Sequence, residues 1–311
     1  MKFLIAFIIV SLNLIASVIT PKISVKTSSP IVDFVIHKDS VWAGTSEGEA
    51  LEITTKGKIV SKIVLPTIKN SWDEKKAQKV MSIDLSPDGK MVALAGEDGY
   101  LYTSREGKIT KTSYSTKTVI KKIAFISDTR ILVALLSNEV VFFDLQANKT
   151  LKTLSGGTSP LSDMALSADH KIAAIAGEAG IIRVIDTTEM KMIRTIHGGN
   201  VDNIYKLDFQ NNKIATAGQD RRAIVYSVDG KTYDRYDGTF LIYTVALSPS
   251  GVKLAASLDE NNIITIFDIA KRQKIVTAKG HSATLNKIVF IDEKRFVSCA
   301  DENKILFWEL P

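Results

Sequence analysis

The feature that most constrains this chain is a pattern that returns seven times. Apolar residues at Phe34, Leu85, Phe125, Leu166, Phe209, Leu247 and Phe290 each close a first strand and lead through a polar turn into a second. The second strands are rich in small residues: "VWAGT", "VALAG", "LVALL", "AAIAG", "IATAG", "LAASL" and "FVSCA". Third strands follow as "ALEIT", "YLYTS", "VVFFD", "IIRVID", "AIVYS", "IITIFD" and "ILFWE". Short apolar runs bounded by polar turns are strand signals. A spacing of roughly 40 residues is the length of one sheet in a closed radial array, and small side chains let such sheets crowd around an axis. The expected fold is all-β, a seven-bladed β-propeller.

The last unit carries the most specific marks. In "GHSATLNKIVFIDEKRFVSCADENKILFWEL", the Gly280–His281 pair, Ser298, the acidic turn Asp301–Glu302 and Trp308 resemble the WD40-repeat family, and the likeness extends over nearly all of residues 22–311. It implies a hydrogen-bonded network of His281, Ser298, Asp301 and Trp308 that ties the strands of one blade together. Six residues before Trp308, where the family usually has Asp, stands Glu302, with Asp301 displaced by one. In the fifth unit Asp220 does stand six residues before Tyr226, with Thr216 and His197 as its expected companions. Elsewhere Ile185, Phe143 and Phe267 replace the Trp, so those blades are expected to rely on apolar packing.

A blade has four strands, yet the last unit ends after three. The one unassigned strand-like stretch is "KISVKT", Lys22 to Thr27, which is expected to pair with Lys304–Glu309 and close the ring. Closure by an N-terminal strand removes two open sheet edges that would otherwise invite aggregation. Seven blades would use residues 18–311 as one domain.

Residues 1–17 read as a secretory signal peptide: Lys2 is followed by an apolar run from Phe3 to Val10 and by small residues at Ala16 and Ser17. An uncleaved anchor is the alternative. The single cysteine, Cys299, has no partner for an internal disulfide, and a secreted, disulfide-free propeller suits a bacterial periplasm.

Catalytic motifs do not emerge. The four histidines lie in different units without metal-ligand spacing, and no cofactor-binding, metal or catalytic constellation stands out. "KKAQK" (Lys75 to Lys79) is flanked by Asp73 and Glu74 and reads as a solvated loop rather than a nucleic-acid site. The same insertion, "PTIKNSWDEKKAQK", sets Trp72 in a polar loop. Trp72 either packs on its own propeller or anchors a partner, and strand alternation puts it on one face with Arg221 and Arg222.

These observations point to a non-enzymatic scaffold that binds proteins as a monomeric propeller. The degenerate WD40 units and the export segment together resemble the accessory WD40 proteins of periplasmic nitrate reductase systems. That resemblance implies a role in assembly, maturation or electron delivery, with no cofactor of its own. The alternatives are a propeller hydrolase or lactonase holding a metal in the central channel, and a general envelope-assembly scaffold. Strand parity also divides the charges: residues such as Lys38, Lys90, Lys171 and Lys253 gather on one face, and Glu97, Glu178, Asp259 and Glu302 on the other. The basic face would suit peripheral contact with an anionic membrane.

Overall fold

Apolar inner strands, small-residue second strands and tight polar turns leave each unit one geometry that buries both sheet faces, and the computed structural model, which describes residues 17–155, 157 and 159–311, shows it. Seven antiparallel sheets form the blades of a propeller, and the described residues contain no helix. Their innermost strands are Ile31–His37, Val80–Leu85, Ile120–Phe125, Leu161–Leu166, Ile204–Gln210, Val245–Leu247 and Leu285–Phe290. Each contacts the innermost strand of the next blade, and that of blade 7 contacts that of blade 1.

Blade 7 consists of Leu285–Phe290, Arg295–Ala300, Lys304–Glu309 and, as its outer strand, Ile23–Lys26. The N-terminal strand runs antiparallel to the last one, with Ile23 opposite Phe307 and Lys26 opposite Lys304. Two flanking bonds extend the ladder, from Lys22 N to Phe307 O at 2.8 Å and from Thr27 N to Asn303 O at 3.0 Å.

Blade 6 has an additional strand that sequence reading did not foresee. Ser17–Ile19 lies parallel to its outer strand Gln273–Ala278, with Ser17 opposite Val276. Ser17, assigned above to the export segment, thus belongs to a sheet in this structure; the remainder of that segment, residues 1–16, lies outside the described residues. A second correction concerns register in blade 1. Ile36 pairs with Val41 as Phe290 pairs with Phe296, so Ile36 and not Phe34 is the residue equivalent to Leu85 and Phe125.

The core is divided among the seams. One cluster, for example, joins Val25, Val297, Cys299 and Phe307 of blade 7 to Ile31, Phe34, Val41 and Ile53 of blade 1. Another joins Leu132, Ala134 and Phe142 of blade 3 to Ala173, Ile175 and Ile185 of blade 4. Each blade is therefore stabilised mainly by its neighbours, as in any stacked-repeat architecture. Cys299 is fully buried in the first of these clusters, and burial pushes its thiol up to about 12, which leaves it a small, inert core residue.

Candidate functional site

Six of the seven inner strands carry a one-residue register shift at the same level. It falls between Ile31 and Asp33, Ile120 and Lys122, Leu161 and Asp163, Ile204 and Lys206, Leu285 and Lys287, and beside Ser82 in blade 2. A β-bulge sets two residues against one and re-aims the side chain that follows. That following residue is polar in every case, so the bulges build a belt of Asp33, Ser82, Lys122, Asp163, Lys206 and Lys287 around the axis.

Asp33 is the hub of this belt. Its carboxylate accepts from Lys122 Nζ at 2.6 and 2.8 Å, from Lys287 Nζ at 2.7 Å, from Ser82 Oγ at 2.7 Å and from the amide of Ile83 at 3.2 Å. Burial alone would raise its pKa, but the ammonium groups of Lys122 and Lys287 outweigh that and hold the carboxyl well below the usual range. Burial likewise opposes the charge on Lys122, and Asp33 overrides it, so Lys122 stays protonated. With both oxygens already engaged, Asp33 has little capacity left for a metal ion in the channel. Among the described residues no three His, Cys, Asp or Glu side chains converge to hold one.

Other inner-strand carboxylates lace one blade to the next. Asp84 accepts from Phe125 N at 2.7 Å, Asp163 from Leu207 N at 2.9 Å and Asp208 from Leu247 N at 2.6 Å. Burial, only partly offset by these amide bonds, pushes Asp84 and Asp208 up to about 6. The belt itself walls a cavity of about 530 Å³, where Lys122, Asp163, Lys206 and Lys287 are joined by Asp84 and Asp208. Sequence reading missed this charged wall. Its signal was a charged residue three positions before the strand-ending apolar one, as in Lys122/Phe125, Asp163/Leu166, Lys206/Phe209 and Lys287/Phe290.

The residues that sequence did single out fall into three groups. In blade 7 His281, Ser298 and Trp308 do come together. Trp308 Nε1 donates to Ser298 Oγ at 2.8 Å, and Ser298 Oγ lies 2.6 Å from His281 Nε2. His281 Nδ1 lies 2.6 Å from Glu302 Oε1. A carboxylate only accepts, so Nδ1 carries the proton and Nε2 accepts from Ser298. Burial keeps the imidazole below its ordinary pKa, although Glu302 works the other way. Gly280 is required beside it, because a Cβ there would stand 2.9 Å from Trp308 Cη2. Asp301 is outside this network: it accepts from Asn286 Nδ2 at 2.9 Å, and the longer Glu302 side chain fills the acidic position.

Blade 5 has its own version with a different donor. Asn200, not His197, meets Thr216 at 2.5 Å and Asp220 at 3.1 Å, while its amide donates to Tyr226 OH at 2.8 Å. His197 is exposed. Asn supplies a donor and an acceptor at one point, as a neutral imidazole does, which is why the exchange is tolerated.

The third group lies on the face that carries the connections between blades. Trp72 is 82% exposed. It stands at the tip of a small hairpin in which Ile68–Lys69 pairs with Lys75–Lys76. Asn70 Oδ1 accepts from the amides of Trp72 at 2.9 Å and Glu74 at 3.0 Å, and Lys76 pairs with Glu97 of blade 2 at 2.8 Å. The indole is thus held out on a braced tip instead of packing on its own propeller. Arg221 and Arg222 are on blade 5, whereas Trp72 leads into blade 2, so one face holds them without making them one site. Arg222 donates to Gly199 O at 3.0 Å and is built into its blade; Arg221 is exposed.

No protein-family profile matches the chain. Actin-interacting protein 1 of Caenorhabditis elegans is 25% identical over 162 residues, covering 48% of this chain and 26% of that protein. Pre-mRNA-processing factor 19 of Dictyostelium discoideum is 24% identical over 206 residues, covering 61% of this chain and 40% of that protein. The chain therefore spans well under half the length of these relatives. They make it a distant homologue of WD40-repeat proteins.

Proposed function

We propose that this propeller is a non-enzymatic interaction platform that binds a protein partner through the face carrying the blade connections. The observation behind this reading is Trp72, a large aromatic side chain 82% exposed on a hydrogen-bonded hairpin. Exposed aromatics of this kind serve as anchors at the centres of interfaces. Homology to WD40-repeat proteins supports protein partners in general. The residues that wall the channel bind one another across the blades, which is the work of a rigid frame.

The finer assignment places the protein in the periplasm as a monomer, exported by residues 1–17, and gives it a component of periplasmic nitrate reductase as partner. It rests on the N-terminal sequence and on the likeness of the repeats to accessory WD40 proteins. Contact of the basic face with anionic lipid is part of the same proposal.

The test is co-purification of the cross-linked protein from periplasmic and membrane fractions of its host, with bound proteins identified by mass. A partner enriched with wild type and depleted with Trp72→Ala is expected. Recovery of the protein from the cytoplasm would overturn the export assignment, and partners retained in full by Trp72→Ala would overturn the assigned face.

A further inference from the structure

On the face that carries the connections, a groove of about 270 Å³ opens between blades 6 and 7, lined by Phe240, Tyr243, Ser257, Asp259, Glu260 and Ser282. It is smaller than the roughly 300–1,000 Å³ of pockets that take whole drug-sized ligands, and suits a single side chain. Its aromatic wall is fixed in place. The loop bearing Phe240 is pinned by bonds from Gly238 N to Arg221 O at 2.8 Å and from Thr239 N to Leu258 O at 2.9 Å, with Ile242 fully buried beneath it. Tyr243 stacks on Tyr205 at 5.2 Å between centroids and meets Phe240 at 6.4 Å. Phe240 itself is 39% exposed, an apolar ring facing water.

Two further observations give the groove a chemistry. Asp259 and Glu260 bring two carboxylates to its rim, and among the described residues neither has a cation within salt-bridge distance. At its floor Ser257, only 4% exposed, has a buried hydroxyl with no hydrogen-bond partner among the described residues. A buried hydroxyl left unpaired is unfavourable, so a ligand that supplies its partner is favoured there.

We propose that this groove receives the guanidinium of an arginine presented by a partner protein, an inference that rests on the platform reading and adds the chemistry of the partner. A guanidinium is planar and stacks on aromatic faces, and its several N–H groups reach a hydroxyl and two carboxylates at once. A lysine ammonium is a more strongly hydrated point charge and gains less from the aromatic wall.

The experiment uses the full chain, isotopically labelled, titrated by NMR with acetyl-arginine amide and, in parallel, with the acetyl amides of citrulline and lysine. Saturable shifts centred on residues 240–243, 257–262 and 282–285 are expected, with citrulline bound about tenfold more weakly because it keeps the shape and loses the charge. Glu260→Gln is expected to weaken arginine about fivefold, and Ser257→Ala to weaken it while leaving the melting temperature unchanged or raised. Citrulline or lysine bound as tightly as arginine, or shifts that do not saturate in this groove, would overturn the proposal. Because the titration needs no partner protein, its failure is separable from failure of the Trp72 co-purification.

Discussion

Blades 7 and 4 meet the same packing demand with opposite chemistry. In blade 7 the middle of the second strand is Ser298, and the third-strand position before the closing acid is Trp308; the two hydrogen-bond each other, and His281 and Glu302 extend the chain to the blade connection. In blade 4 the matching positions are Ile175 and Ile185, at 1% and 0% exposure, packed against Leu132, Phe142 and Met164. Blade 7 also completes its sheet with a strand from the other end of the chain, while the strands of blade 4 are consecutive. At the seam, where the fourth strand comes from the far end of the chain, directional bonds help to fix register; blade 5, whose strands are consecutive, carries a polar set of its own in Asn200, Thr216, Asp220 and Tyr226. In blade 4 apolar packing alone fills the same positions.

The strongest way to break the comparison is to remove the seam. Deleting residues 17–27 strips Ile23–Lys26 from blade 7 and Ser17–Ile19 from blade 6, exposing the Lys304–Glu309 edge. Aggregation, or a large loss of melting temperature, is expected in chromatography and calorimetry; a monomer with unchanged melting would show that the ring needs no closure. Next in size is the channel hub. Asp33→Ala leaves Lys122 and Lys287 buried without their counter-charge, and about 3–5 kcal/mol of stability should be lost in urea unfolding.

Exchanging the two chemistries sharpens the contrast. Ser298→Ala leaves His281 Nε2 and the Trp308 indole N–H without a partner and should cost about 1–3 kcal/mol. Ile175→Ser adds an unpaired hydroxyl and removes packing, with an expected cost of about 3 kcal/mol. If Ser298→Ala is neutral in thermal unfolding, the network contributes nothing that apolar contact would not.

The smallest effect concerns pH. In the folded chain Asp84 and Asp208 protonate at about 6, whereas their ordinary value is 3.8. The native state takes up these protons first, so their contribution is fully present below about 4 and is lost as pH rises through 6. Asp208→Asn, which mimics the protonated form and can still accept from Leu247 N, should therefore be more stable than wild type at pH 7. About 1 kcal/mol is expected, because Asp208 is only partly buried, and the gain should shrink at pH 5. Buried His281 works in the opposite sense below 6.5, so the informative quantity is variant against wild type at each pH.

The repeat and its strands were legible because apolar periodicity and turn residues are local properties. So was the His281–Ser298–Trp308 set, whose spacing in sequence follows strand register. Spacing marked Glu302, six residues before Trp308, but which of Asp301 and Glu302 completes the network depended on side-chain reach; Asn200 in place of His197 depended on hydrogen-bond capacity at a point in space, which spacing does not show. The channel belt was missed for a different reason: its mark in the sequence, a charged residue three positions before the strand-ending apolar one, reads as an ordinary solvent-facing charge until the bulge that aims it inward is seen. The Ser17–Ile19 strand was masked because the end of an apolar leader and a short edge strand have the same composition.

The role of Trp72 as an anchor is tested most directly by the affinity of wild type and of Trp72→Ala for the co-purifying partner, measured by calorimetry beside the melting temperature of each. The expected result is a loss of about 2 kcal/mol in binding with melting unchanged, because an 82%-exposed indole supports an interface and not the fold. Unchanged affinity together with lowered melting would contradict it, making Trp72 a structural residue and moving the interaction elsewhere on the propeller.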